Sequence, residues 1–209
     1  MDNSTDGRQQ HRDTESMIMQ AAEAEFLEKG YAGAKTTRIA EAAGVTHAML
    51  HYYFRTKEML FEKIVTGKIE QLSEILLGAV DNPGLPLAER IRHGINCHFD
   101  FLLANPLLPR FIINELALHP ERINPIRDKL LEKAGKVLSG IQREIDALPG
   151  VDIDATMLLA DIISLNVFPI VAAPMLKGAV GGMYSDYEEF LELRKQENVR
   201  TILSKLKLE

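Results

Sequence analysis

The chain has 209 residues, 46% of them hydrophobic and 26% charged, which is the balance of a globular protein with one large domain or two small ones. Its net charge of −6 argues against a surface that binds polyanions everywhere. Its one cysteine, Cys97, excludes an intrachain disulfide framework, and the N-terminus has no apolar signal core, so a reducing, cytoplasmic setting is expected.

In chain order, Met1 to Arg12 is polar and without periodicity, so disorder is expected there. Ile18, Ala22 and Phe26 recur at four-residue spacing beside Leu27, which predicts a helix from about Asp13 to Lys29 with Gly30 as a left-handed cap. "GYAGAKTT" reads as a loop, and Thr36 or Thr37 is placed to cap a short helix through "RIAEAAG". Gly44 breaks that helix. Val45 and Thr46 make a turn, and a third helix is expected from about His47 to near Phe54. Thr56 is placed to cap a fourth, from about Lys57 to Ala79. "DNPGLP", Asp81 to Pro86, is the clearest loop. Further helices are expected over Leu87 to Ala104, Leu108 to Leu118, Ile126 to Leu148, Ala155 to about Leu176, and Glu188 to Leu206. The apolar run Ile162 to Leu176 is too short for a membrane span and contains Ser, Asn and two Pro, so it reads as buried. Pro169 should kink its helix and leave a carbonyl free to face a pocket. The expected fold is all-α, with about nine helices. A boundary near Lys57 divides residues 13–57 from residues 58–209 without a flexible linker.

The stretch from Thr36 to Phe54 carries the function. Two short helices joined through a glycine are a helix-turn-helix pattern. Ile39, Ala40, Ala43, Val45, Leu50 and Phe54 are expected to face inward with Phe26 and Leu27. That leaves Thr46, His47, Ala48, Met49, His51, Tyr52 and Tyr53 outward on the third helix. These groups donate, accept or offer a methyl contact, which is the chemistry of base edges in a major groove. From Lys35 to Lys57 there are four basic residues, Lys35, Arg38, Arg55 and Lys57, against one acid, Glu41. A basic island on an acidic chain suits a localised anion-facing surface. Lys57 also stands in the first turn of a helix, where free backbone N–H groups favour a phosphate.

Through "FLEKGYAGAKTTRIAEAAGVTHAMLHYYFRTKEMLF", Phe26 to Phe61, the sequence resembles the TetR family of bacterial transcriptional repressors. The motifs are "GY.GA..T", "IA..AGV" and "L.YYF..KE.L". The resemblance implies a homodimer whose recognition helices enter successive major grooves of a near-palindromic operator. It implies phosphate contacts from Thr37 and Lys57, and groove-facing contacts from Thr46, His47, Met49, His51 and Tyr52. Lys35, Thr36, Arg38, Ala48 and Tyr53 complete the candidate DNA surface. The family most often has Tyr where this chain has His51, so imidazole replaces a hydroxyl there and the contact depends on protonation. Ala48 stands where Gly is commoner.

By the same resemblance, residues 58–209 should hold a ligand pocket and a dimer surface. Candidates are polar groups on apolar helical faces, with aromatic walls: His98, Phe101, Phe111, Asn114, Asp161, Asn166 and Phe168. His93, Cys97 and His98 are the nearest thing to a metal set. Cys97 and His98 are adjacent, however, and point about 100° apart on a helix, so no metal or other cofactor is expected. The apolar helix from Ala155 and the final helix are the dimer candidates, the latter offering Phe190, Leu193, Val199, Ile202, Leu203 and Leu206 for one face. No nucleophile–base pair or phosphate loop is present in the sequence, and "GAVGG" lacks the strand and lysine of a phosphate-binding turn, so an enzyme is not expected. A helical adaptor without DNA binding would be favoured by acids on the groove face, and His47 to Tyr53 has none. The reading is a sequence-specific transcriptional regulator, a repressor released from its operator by a small molecule.

Overall fold

The computed structural model describes residues 3–82 and 84–208, and side chains there outside 3–8, 122–127, 129–131 and 133. Among the described residues the chain forms ten helices and no strand: α1 (Asn3–Gly33), α2 (Thr36–Ala42), α3 (His47–Tyr53), α4 (Lys57–Val80), α5 (Leu87–Ala104), α6 (Leu108–Leu118), α7 (Pro120–Asp146), α8 (Ala155–Val171), α9 (Ala173–Val180) and α10 (Tyr187–Lys205). Packing separates two units, Met1–Ile69 with Phe111–Ile126, and Glu70–Arg110 with Arg127–Glu209.

In the first unit the four-residue spacing of Ile18, Ala22 and Phe26 does what a helical stripe does, and all three are buried. Phe26 meets Phe61 edge-on with centroids 5.5 Å apart, Tyr31 meets Phe61 at 5.0 Å, and Phe111 lies 5.7 Å from Phe61. Segment 111–126 therefore packs with helices far from it in sequence. Helix α1 differs from expectation at both ends. It starts at Asn3, so the polar stretch expected to be disordered is helical. One local pair supports helix in its later part, where Gln9 Nε2 donates to Asp13 at 3.1 Å, one turn on. Gly30, with φ 69°, breaks the regular helix as expected, but a further helical turn follows it where a loop was expected.

The second unit has its core among α5, α7, α8 and α10, built on Ile91, Ile95, Ile145, Leu158, Ile202 and Leu203 with their neighbours. Val199, Ile202, Leu203 and Leu206, the expected dimer stripe of α10, belong to this core. The chain's own α5 and α8 compete for that stripe and take it. Ion pairs tie the rim: Arg90 to Glu144 at 2.5 Å, Lys195 to Asp100 at 3.0 Å and Lys205 to Asp161 at 2.6 Å.

The helix expected to run from Ala155 to Leu176 is two helices, α8 and α9, bent by 76°. The break falls at Ala172, where Pro174 in the first turn of α9 has no N–H to continue the ladder. Pro169 lies inside α8 and also lacks an N–H, so the Leu165 carbonyl loses its partner four residues on. Asn198 Nδ2 on α10 donates to that carbonyl at 3.1 Å. The Pro169 carbonyl is taken by the Tyr187 hydroxyl at 2.6 Å. The freed carbonyl expected to face a pocket is thus satisfied by α10. No single helix among the described residues is long and apolar enough to cross a membrane.

Asn198 extends into a polar chain through the core. Its Nδ2 also donates to Asn166 Oδ1 at 2.9 Å, and Asn166 Nδ2 contacts the Ile95 carbonyl at 3.0 Å and His98 Nδ1 at 3.2 Å. Asn166 Nδ2 can only donate, so His98 Nδ1 accepts and the neutral ring carries its proton on Nε2. Burial lowers the His98 pKa from 6.5 to about 4. Two outcomes follow. Asn198→Ala leaves the Leu165 carbonyl and Asn166 Oδ1 unpaired in the core and is expected to cost about 3 kcal/mol in urea unfolding. The depressed His98 pKa means the unfolded chain takes the proton first as pH falls. Stability from this residue is therefore complete above pH 6.5 and lost down to about pH 4. His98→Gln should remove about 3 kcal/mol of that acid sensitivity, read as a flatter plot of unfolding free energy against pH over the same window.

Candidate functional site

The turn between α2 and α3 is built locally from "AAGVT". Gly44 adopts φ 67°, a conformation open to glycine at no steric cost. Its N–H donates to the Glu41 carbonyl at 3.1 Å, and the Val45 N–H reaches back to the Ala40 carbonyl at 3.0 Å. That pair of bonds is a Schellman closure, which ends α2 with its carbonyls satisfied. Two residues on, the Thr46 side chain accepts from the Met49 N–H at 3.2 Å and starts α3. Ile39, Ala40, Ala43, Leu50 and Phe54 are buried, as expected, and Val45 is half-buried. Thr56 accepts from the Met59 N–H at 3.1 Å at the head of α4, also as expected. The α2 cap differs from expectation. Lys35 is the capping position, without a side-chain bond, because Thr36 and Thr37 already lie inside the helix. Glu25 of α1 accepts the Lys35 N–H at 3.1 Å.

This frame leaves a polar surface. Lys35, Thr37, Arg38, Thr46, His47, Ala48, Met49, His51 and Tyr52 are exposed, while Thr36, Tyr53 and Lys57 are half-buried. Tyr52 is 75% exposed. The exposed side chains are ordered by one another. Thr36 Oγ1 lies 3.0 Å from His47 Nε2, joining α2 to α3. The His47 and His51 rings meet at 90° with centroids 4.4 Å apart. His51 Nδ1 is 3.3 Å from the Arg55 carbonyl, which can only accept, so Nδ1 carries a proton. The outward Nε2 of His51 is then an acceptor when the ring is neutral and a donor when it is protonated. Tyr53 lies against Tyr52 at 5.5 Å and against His11 of α1 at 4.5 Å. His11 counts in the sequence only as a charge, and nothing local places it beside α3.

Lys57 Nζ sits 4.6 Å above the Tyr31 ring, within range for a cation–π contact. The Tyr31 hydroxyl donates to Glu58, and that bond is the first cause of a lowered Glu58 pKa.

The candidate ligand residues separate into groups. His98 and Asn166 are buried and bonded to each other, with Phe101 buried on the same helix as His98. Asp161 is half-exposed and paired with Lys205, and Phe168 is 56% exposed. Phe111 is buried in the first unit, and Asn114, also in that unit, is exposed.

Residues 18–64 match the family described as bacterial regulatory proteins, tetR family. The HTH-type transcriptional repressor SCO4008 of Streptomyces coelicolor is 28% identical over 179 residues, covering 81% of this chain and 84% of that protein. The crystal structure of SCO4942 from the same species superposes with a TM-score of 0.67 at 25% identity, over 91% of this chain and 97% of that one. A TetR/AcrR family regulator from Thermobifida fusca superposes with a TM-score of 0.64 at 24% identity, over 90% and 97%, and shares the fold. The helix-turn-helix built by α2 and α3, the matched residues and these relatives agree: the chain is a DNA-binding transcriptional regulator whose residues 18–64 match the DNA-binding domain of the tetR family.

Proposed function

We propose that the chain is a homodimeric, cytoplasmic repressor that binds a near-palindromic operator and is released by a small-molecule effector, acting by binding and not by catalysis. DNA binding lies in residues 13–57, and effector binding and dimerisation in residues 58–209. The observation that carries the DNA reading is α3, whose His47, Met49, His51 and Tyr52 are all exposed while Leu50 is buried. A helix made only for packing does not leave three rings and a thioether outward, two of the rings set edge to face. Lys35, Thr36, Thr37, Arg38 and Lys57 flank it as phosphate contacts. For the dimer, Met157 at 67%, Ile163 at 44% and Phe168 at 56% exposed lie along α8, and Leu193 at 45% lies on α10. Met157 and Phe168 fall about 20° apart around α8 and share one face, and exposed apolar groups on two packed helices suit a second copy, forming a four-helix bundle. For the effector, the buried His98 and Asn166 on α5 and α8 are polar groups in apolar surroundings, the pattern of a small-molecule anchor.

A salt titration on the DNA upstream of the chain's own gene tests the first part. Log affinity is expected to fall steeply with log salt, and a flat plot rejects phosphate-dominated binding. Tyr52→Ala and His51→Ala should each weaken operator binding about tenfold with unchanged melting, and Lys57→Met should make the salt slope shallower by about 1. If all three bind undiminished, the groove assignment is wrong. The dimer is read by sedimentation: Phe168→Asp should give a folded monomer, and an intact dimer would place the interface elsewhere.

A further inference from the structure

The first unit contains a carboxylate that neither base contact nor core packing explains. Glu115 on α6 is 3% exposed, one helical turn beyond the buried Phe111. A buried carboxylate is costly unless donors meet it. One donor is a backbone group: the Tyr31 N–H reaches Glu115 Oε1 at 3.3 Å. Tyr31 is the residue after Gly30, whose left-handed φ interrupts the regular ladder of α1. Glu115 therefore supplies, from 84 positions away, an acceptor at the point where the helix is broken.

Tyr31 connects this point to both edges of the DNA surface. The turn it opens is closed by the Ala34 N–H on the Gly30 carbonyl at 3.1 Å, and it leads directly to Lys35, Thr36 and Thr37. Its ring lies under Lys57, and its hydroxyl donates to Glu58 in the first turn of α4. Phe26 stacks on the same ring at 6.1 Å and Phe61 closes its edge, so the ring moves only if the backbone carrying it moves.

We propose that Glu115 is a positioning residue for DNA binding. By holding the Tyr31 amide it fixes the entry to α2 and, through the Tyr31 ring, the place of the Lys57 ammonium. The proposal rests on Lys57 being a phosphate contact.

Two conservative variants separate reach from charge. Glu115→Gln keeps the length and an acceptor oxygen but loses the charge. Glu115→Asp keeps the charge but is a methylene short of the Tyr31 N–H. In the full-length chain, Glu115→Gln should bind the operator within about threefold of the unaltered protein. Glu115→Asp should bind about tenfold more weakly, with a salt slope shallower by about 1, as for Lys57→Met. Adding Lys57→Met to Glu115→Asp should cost little more, because both remove the same contact. Binding by Glu115→Asp at full strength, a loss in Glu115→Gln as large as in Glu115→Asp, or full additivity with Lys57→Met overturns the proposal. An unchanged slope in Lys57→Met alone overturns the phosphate assignment and this proposal with it. A lowered slope there beside intact binding in Glu115→Asp overturns only the proposal. Hydrogen exchange of the unaltered protein is the second measurement. The Tyr31 amide should exchange as slowly as helix amides of α1, and exchange at open-loop rates overturns the proposal whether or not the Asp variant folds.

Discussion

An all-helical chain lives by one constraint, which is that every break in the i to i−4 ladder releases backbone groups that must find other partners. Three breaks organise this protein, and each finds its partner differently. At Gly44 the partners are local, and the Schellman closure is complete within six residues, Ala40 to Val45. At Gly30 the Tyr31 N–H is met by Glu115 of α6. At Pro169 the Leu165 carbonyl is met by Asn198 of α10. The first break sets α3 against α2, the second anchors the approach to α2, and the third frees a carbonyl within α8. Each partner also limits where the neighbouring helix can sit, so the positions of the breaks and the packing of the helices are one problem.

Charge follows the same local logic. The chain as a whole is acidic, yet the surface of α2, α3 and the head of α4 is supplied with Lys35, Arg38, Arg55 and Lys57. Two of the acids beside them are occupied: Glu25 holds the Lys35 N–H, and Glu58 accepts the Tyr31 hydroxyl. A carboxylate tied to a donor presents less uncompensated charge to an approaching phosphate than a free one. An acidic body with a basic, ordered face restricts attraction to one surface, which favours an orientation for DNA over general adhesion.

What could be read in the sequence was what is decided within a few residues. The stripe of α1, the Gly44 turn, the Thr46 and Thr56 caps and the bounds of α6 all follow from neighbours along the chain. The outward set on α3 follows too, because burying Leu50 and Phe54 leaves only one face. Long-range choices were not legible. Periodicity marked Val199, Ile202 and Leu206 as an apolar face, but it does not say whether a second copy or the chain's own α5 and α8 will cover it. Pro169 announced a freed carbonyl without naming Asn198 as its donor. Glu115 stands in the apolar stretch "RFIINELAL" with nothing local to explain it, since its partner is an amide 84 residues earlier. Of the ligand candidates, His98 and Asn166 were brought together across 68 residues, whereas Asp161 found Lys205 instead. An ion pair at a rim is chosen by whichever charge lies nearest after folding, and spacing carries no trace of it.

The polar chain from Asn198 through Asn166 to His98 has a direction, and direction limits what it can do. Each member donates toward the next, ending on His98 Nδ1, so the ring is held neutral with its remaining proton on Nε2. Burial opposes the imidazolium, in keeping with a pKa near 4. A group set up this way can offer one hydrogen bond to an acceptor but cannot serve as a cation at neutral pH. An anionic partner would gain no ion pair from it, and a partner carrying only donors would find no lone pair on that ring. If His98 contributes to effector recognition, it selects for an uncharged acceptor such as a carbonyl, ether or hydroxyl oxygen. The same chain secures the carbonyl freed by Pro169, so the groups that would read such an acceptor are held by the helix break itself.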